Sequence, residues 1–249
     1  MEKKYSNWQK KFFSGLYIEF QLKMFSKAHT IEQSKFIIDV LKLKKKNKVL
    51  DVPCGNGRIS NELSKRGIYV TGVDNNEYFL NLAKKQSKKN KLSSVFLNNE
   101  MYNINFEREF DTVLCFWGSF GYFDDSKNVM FLEKVYKALK PHGKFLVNTH
   151  IIDTLLPKFQ NSGWMKAGDI YILEKREYDP YSSRINCNWT FIKNGRIENK
   201  FSSIRLYSYL ELITLLKNIG FKSFTAYDSI QKTEFKYSKS GYLYLVAQK

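Results

Sequence analysis

From residue 30 to residue 150 the apolar positions switch repeatedly between two rhythms. Short, nearly unbroken apolar runs at 48–52, 69–73, 94–97, 111–116 and 144–149 read as buried strands. Between them the apolar positions recur every three or four residues, as on one face of a helix. Phe36, Ile37, Val40, Leu41 and Leu43 follow Thr30 and Gln33, which are spaced as a capping box. Ile59 and Leu63 mark a helix over 58–66, with Gly67 as its C′ residue. Phe79, Leu80, Leu82 and Ala83 mark another over 77–88. A further helix over 127–139 closes at Lys140-Pro141-His142-Gly143. Strands alternating with helices predict a parallel sheet covered by helices on both faces.

The rhythm changes after residue 150. Segments 170–178, 184–193 and 196–207 read as consecutive antiparallel strands, joined by turns at 179–183 and at Asn194-Gly195, a hairpin dipeptide. Ser208 and Glu211 form a second capping box, opening a helix that stops at Gly220, and strands at 223–229 and 242–248 follow. The organisation read from this pattern is a sheet core over 30–152 and 208–249. An antiparallel β insertion over 153–207 separates its fifth strand from its last helix. The aromatic segment 1–29 is partly helical. It serves either as a lid carrying Tyr5, Trp8, Phe13 and Tyr17 or as a helix on the sheet edge.

A chain of 249 residues, 43% apolar and 26% charged, fits one domain with an insertion. No apolar run reaches the length of a membrane span, and the N-terminus lacks the apolar stretch of a secretory signal. Cys54, Cys115 and Cys187 share no metal-ligand spacing and read as reduced thiols of a cytoplasmic protein; no metal is expected. The net charge of +17 invites a polyanion partner. However, the excess is lysine rather than arginine, spread along the chain, with its main runs (42–48 and 84–91) at expected helix ends where cations suit the dipole. Compositional drift is the reading we favour over a nucleic-acid site.

The candidate chemistry lies where the first two strands end. Asp51 closes one, the turn Val52-Pro53-Cys54-Gly55-Asn56-Gly57-Arg58 opens a helix, and Asp74 closes the next strand. A strand, an acid, a glycine turn and a second acid about 20 residues on is the arrangement that holds a nucleoside at the carboxyl rim of a parallel sheet. With Glu100-Met101, the Ser119 to Phe123 segment and Leu139 to Leu146, the chain resembles the class I S-adenosylmethionine-dependent methyltransferases. It is most similar to a bacterial branch of them, sharing also Trp164, Leu173-Glu174, Arg176, Asp179-Pro180, Trp189-Thr190-Phe191 and Arg205-Leu206-Tyr207. The resemblance runs from about residue 12 to the end. It implies a Rossmann-like, doubly wound, mostly parallel seven-stranded sheet and S-adenosylmethionine as cofactor. It also implies a site built from Asp51, Pro53, Cys54, Gly55, Gly57, Arg58, Asp74, Asn75, Glu100, Met101, Phe116 and Trp117. In it Asp51 holds the methionyl ammonium and Asp74 accepts from the ribose hydroxyls. Glu100 and Met101 receive adenine, and Phe116 and Trp117 floor the transfer site. Two positions depart from the pattern: Asn99 stands where glycine is common, and Glu100 replaces the usual aspartate.

Methyl transfer from a sulfonium needs alignment, exclusion of water and, for some acceptors, a base. His150, at the end of the fifth strand, is the first candidate base, with Tyr17, Tyr122 and Glu174 behind it. Trp117, Tyr122, His150, Glu174, Arg176, Trp189 and Arg205 are the candidate acceptor contacts. Alternation places Glu174 and Arg176 on one face of their strand, as an ion pair with Arg205 or as substrate anchors. An enclosed aromatic site under an inserted lid favours N or O of a small metabolite as acceptor. RNA or protein is the alternative suggested by the charge, and a non-catalytic cofactor-binding scaffold is a third reading. The oligomeric state is not legible.

Overall fold

The computed structural model describes residues 8–237 and 240–249; Tyr5, assigned to the lid on sequence, lies outside them. Its main sheet has seven strands in the order β10-β11-β5-β4-β1-β2-β3. These are β1 (Lys48–Asp51), β2 (Tyr69–Asp74), β3 (Val95–Asn98), β4 (Phe110–Cys115), β5 (Leu139–Thr149), β10 (Ser223–Tyr227) and β11 (Leu243–Gln248). The first five pair in parallel, and β11 runs antiparallel to both β5 and β10. A second sheet is an antiparallel meander of β6 (Ser162–Ala167), β7 (Ile170–Asp179), β8 (Arg184–Lys193) and β9 (Arg196–Arg205). It lies in the chain between β5 and the last helix, α8 (Tyr209–Ile219).

Alternation along the central strands sorts their side chains between two cores. Leu50, Val113, Phe145 and Leu245 face one side, against α6 (Asp125–Ala138) and α8 through Phe131, Leu132, Val135, Leu212 and Leu216. Val49, Leu114, Leu146 and Val246 face the other, against α3 (Lys27–Leu41) and α4 (Arg58–Lys65) through Ile37, Val40, Ile59 and Leu63. The fifth helix of the core, α5 (Glu77–Lys89), starts under an Asn76 cap, whose Oδ1 accepts from Phe79 N at 3.2 Å.

Gly57 shows why this turn takes glycine. It caps α4 at φ 71°, and a Cβ there would stand 2.6 Å from Ala83 Cβ and 3.0 Å from the Phe96 ring.

Several expectations are corrected. The α3 helix begins at Lys27 under Ser26, whose Oγ accepts from His29 N at 3.0 Å; the Thr30–Gln33 box does not form. An earlier residue with the same capping chemistry takes the role. Thr30 Oγ1 turns back to Ser26 O, and Gln33 is engaged by Arg58. The stretch 140–143 is part of β5 rather than a closing turn, accommodated by a register shift opposite Phe110 and Thr112. β6 was not anticipated: its half-exposed Ser-Gly-Trp-Met-Lys-Ala sequence carries no apolar alternation.

Two short helices, α1 (Trp8–Phe12) and α2 (Leu16–Met24), precede α3. α2 has two working faces. Leu16 and Phe20 pack with Ile170, Ile172 and Phe191 of the meander, whereas Tyr17, Gln21 and Met24 face the main sheet's carboxyl rim. The helices are tied to the meander by Leu16 N to Glu198 Oε2 (2.9 Å) and Lys193 Nζ to Glu19 Oε2 (2.6 Å). They are tied to the core by Asn76 Nδ2 to Phe13 O (2.8 Å) and Gln9 Nε2 to Tyr122 O (2.8 Å).

Candidate active site

The two acids of the motif meet at one cavity. Asp74 Oδ2 accepts from Gly55 N at 2.7 Å and its Oδ1 from Asn76 N at 2.9 Å, so the second strand end holds the glycine turn of the first. Asp51 Oδ2 accepts from Ser60 Oγ at 2.5 Å. Burial pushes the Asp51 carboxyl up to about 7, against the pull of the Ser60 hydrogen bond and the Arg58 charge. Burial also raises Asp74, opposed by backbone donors from Asn76, Gly55 and Asn75.

The cavity has a volume of about 140 Å³. Its floor is the rim of the main sheet: Asp51, Pro53, Cys54, Gly55, Arg58, Asp74, Asn75, Glu100, Met101, Phe116 and Trp117. All the expected cofactor residues line it except Gly57, which shapes the turn from behind. The roof is α1, α2 and the segment after them: Gln9, Phe13, Tyr17, Gln21, Met24 and Phe25. Tyr122 and Ser119 close the end beside Trp117. Gln9, Gln21 and Phe25 were not singled out on sequence, and Ser119 was named only as part of a resembling segment. The four-residue step from Tyr17 to Gln21, opposite the apolar Leu16 and Phe20, was the available signal.

Trp117 adopts φ 72°, a conformation rare for a bulky side chain. It is held there by Asn148, whose Oδ1 accepts from Trp117 N at 3.2 Å, and by the Phe25 ring at 3.9 Å. The Arg58 guanidinium lies 4.3 Å from the Phe25 ring centroid and 5.2 Å from that of Trp117. Its Nη1 donates to Gln33 Oε1 at 2.6 Å, while its Nη2 is buried without a partner. Burial lowers this guanidinium to about 10. Gln21 Oε1 is likewise buried and unpartnered. The cavity therefore presents two buried carboxylates, an unfilled guanidinium nitrogen and an unfilled carbonyl oxygen. Such groups are costly when left unmet and fit a ligand carrying both charges and further hydrogen-bonding groups.

Burial keeps the hydroxyls of Tyr17 and Tyr122 protonated, raising Tyr17 far above its usual value and Tyr122 to about 12. His150 and Glu174 do not line the cavity, nor do Arg176, Trp189 and Arg205. Trp189 backs the roof, edge-on to Phe12 at 5.4 Å, with its Nε1 donating to Ser202 Oγ at 2.9 Å. Arg205 joins the meander to α6 and α8 through Asp125 (3.1 Å) and Glu211 (3.2 Å), not to Glu174. Among the described residues Glu174 forms its ion pair with Arg176. Among the described residues no group of three acidic, His or Cys side chains is placed to hold a metal ion. None of the described helices is long and apolar enough to cross a membrane.

Residues 49–143 match the model of the family described as "Methyltransferase domain", and this stretch contains both acids, the glycine turn and Trp117. This stretch of the chain is a methyltransferase domain, and the enzyme is an S-adenosylmethionine-dependent methyltransferase. It is 29% identical over 187 residues to YqeM of Bacillus subtilis (strain 168), a protein described as a methyltransferase. That match covers 72% of this chain and 75% of YqeM. Its fold is similar to that of the CcbJ methyltransferase from Streptomyces caelestis, with TM-score 0.77 and 17% identity over 88% of each chain. It is also similar to S-adenosylmethionine-bound CalS10, an amino pentose methyltransferase from Micromonospora echinaspora. The TM-score there is 0.72 at 11% identity, covering 95% of this chain and 98% of that one. The methyltransferase uses S-adenosylmethionine as its cofactor.

Proposed function

We propose that this methyltransferase methylates a nitrogen or oxygen of a small metabolite bound beside Trp117, Ser119 and Tyr122. The observation that carries the reading is the roof. α1 and α2 close over the rim with Phe13, Tyr17 and Phe25, leaving a roofed, partly open cleft in place of an open groove for a polymer. The cavity's 140 Å³ is below the ~300 Å³ at which small-molecule sites begin. We therefore read α1, α2 and the meander behind them as a lid, whose aromatic side chains Phe13, Tyr17 and Phe25 move outward on filling.

The residues present fit the cofactor. Asp51 receives the methionyl ammonium and Arg58 Nη2 the methionyl carboxylate, a charge-matched pair at one end of the cavity. Asp74 keeps lone pairs for the ribose hydroxyls beyond those spent on Gly55 and Asn76. Glu100 and Met101 receive the adenine. Bound S-adenosylmethionine supplies an activated methyl group on a sulfonium.

The chain supplies alignment and dryness. Phe116, Trp117 and Phe13 exclude water, and the strained Trp117 backbone is fixed by Asn148. Tyr17 and Tyr122, kept as hydroxyls, orient an acceptor's lone pair instead of removing its proton. Among the described residues the lining contains no His and no Lys. That favours an amine delivered neutral over an unactivated hydroxyl.

The test is incubation with methyl-tritiated S-adenosylmethionine and the small-metabolite, RNA and protein fractions of a cell extract. Label should enter the small-metabolite fraction. Label confined to RNA or protein would overturn this reading in favour of the macromolecular alternative that the net charge of +17 suggests.

A further inference from the structure

The roof of the cavity carries a polar group that the protein itself does not satisfy. Gln21 lies on α2, one turn after Tyr17, and lines the cavity. Its Oε1 is buried with no hydrogen-bond partner. Its Nε2 reaches the glycine turn. A Cβ built on Gly55 would meet a single atom within 4 Å beyond its chain neighbours, Gln21 Nε2 at 3.7 Å. Gly55 has no side chain of its own, so bare backbone faces the amide. The next contact repeats the pairing: Phe25, four residues after Gln21, lies 4.3 Å from the guanidinium of Arg58, three residues after Gly55. The end of α2 therefore runs along the turn and the start of α4. An acceptor without a donor, Gln21 Oε1, and a donor without an acceptor, Arg58 Nη2, belong to this one seam, yet they do not bond to each other.

Packing does not account for an amide at this place. A buried carbonyl oxygen left unmet is destabilising, and a Met here would fill similar space without that cost. Nor is α2 free to turn the amide to solvent. Leu16 and Phe20 are seated against Ile170, Ile172 and Phe191 of the meander. Glu198 Oε2 accepts from Leu16 N, Glu19 accepts from Lys193, and Lys23 pairs with Asp169. The insertion thus sets the rotation of α2 and the face that Gln21 shows to the cavity. An amide suits a zwitterion, because its oxygen accepts from an ammonium while its NH2 donates to a carboxylate. An ammonium brings three N–H donors. Asp51, with one oxygen already bonded to Ser60 Oγ, meets it from the floor; Gln21 stands in the roof.

We propose that Gln21 is a cofactor-recognition residue carried by the lid, its Oε1 accepting from the methionyl ammonium of bound S-adenosylmethionine. The amino-acid end of the cofactor then holds α2, and through α2 the meander, over the rim. This rests on the cofactor placement above, with the methionyl group at Asp51 and Arg58. It extends the cofactor site from the strand ends to the N-terminal helices and gives the β insertion a part in cofactor binding.

The test compares two ligands by calorimetric titration of the full chain. S-adenosylhomocysteine carries the amino-acid end, and 5′-methylthioadenosine is a nucleoside thioether without it. Gln21→Met keeps an unbranched side chain and removes the amide. S-adenosylhomocysteine should bind about tenfold or more weakly, while 5′-methylthioadenosine stays within about twofold of wild type. The Tm of the ligand-free variant should be unchanged or higher, because an unmet buried carbonyl has been removed. The proposal is overturned if S-adenosylhomocysteine affinity is unchanged, or if both ligands weaken alike. A lower Tm would overturn it too, by marking the amide as part of the fold. Failure of the cofactor reading is distinguishable, because S-adenosylhomocysteine would then not bind the wild-type protein, and the proposal would fall with it.

Discussion

Asp74→Asn isolates the junction between the two motif acids. The carboxylate accepts from Gly55 N at 2.7 Å and from Asn76 N at 2.9 Å. An amide can satisfy only one of these, because its NH2 group presents a donor to whichever backbone N–H it faces. Losing one charge-assisted hydrogen bond to a buried group costs about 1.5–3 kcal/mol, roughly 3–12 °C in Tm for a chain of this size. The ligand loses an acceptor as well. One ribose hydroxyl bond of the same strength corresponds to a rise of roughly 10–150-fold in the Kd for S-adenosylhomocysteine. Differential scanning calorimetry and isothermal titration together separate the two effects. A lower Tm with an unchanged Kd would show that Asp74 only caps the turn, and the ribose assignment would be abandoned.

Three further outcomes are expected. Asp51 ionises near 3.8 unfolded and near 7 in the ligand-free fold, so the native state holds the extra proton and this group makes the free protein lose stability as pH rises from about 4 to 7. An ammonium needs the ionised form, so S-adenosylhomocysteine affinity should rise by up to about tenfold per pH unit toward 7 and level off above it; the rise should vanish in Asp51→Asn. Gly57→Ala forces a Cβ into the left-handed region (φ 71°) and against Ala83 and Phe96; urea unfolding should show a loss of about 2–4 kcal/mol, and a loss below about 1 kcal/mol would mean that the turn yields. Arg58→Met keeps the contact with Phe25 but removes the guanidinium; calorimetry should show cofactor affinity falling about tenfold or more, with an unaltered Kd ruling out the carboxylate contact.

What the sequence showed was mostly local. The apolar runs of β1, β2, β4 and β5 and the acids that end β1 and β2 are short-range signals, and they place Asp51 and Asp74 together without knowledge of the rest of the chain. The capping of α8 by Ser208 and Glu211 was equally direct, with the side chain of each residue bonded to the backbone N–H of the other. Capping of α3 was assigned to Thr30, but Ser26 offers the same oxygen one turn earlier and is the residue that accepts from His29 N. The roof was harder to read because α2 serves two surfaces at once: Leu16 and Phe20 cover the meander, while Tyr17, Gln21 and Met24 cover the cavity. Arg58 was placed in the motif by position, but its seat beside the Phe25 and Trp117 rings depends on residues distant in the chain. His150 shows the limit of reasoning from strand ends. The end of β5 does point to the functional rim, yet the rim is wide, and the neighbouring Gly241 and Tyr242 draw the ring away from the cavity that Tyr17 and Tyr122 line.

The most direct test of the account is a crystal structure of the full chain with S-adenosylhomocysteine. Density for the ligand should lie under α1 and α2, its amino-acid end between Asp51 and Arg58, its ribose on Asp74 and its adenine beside Met101. A ligand bound elsewhere, or seated with its adenine at Arg58, would contradict it.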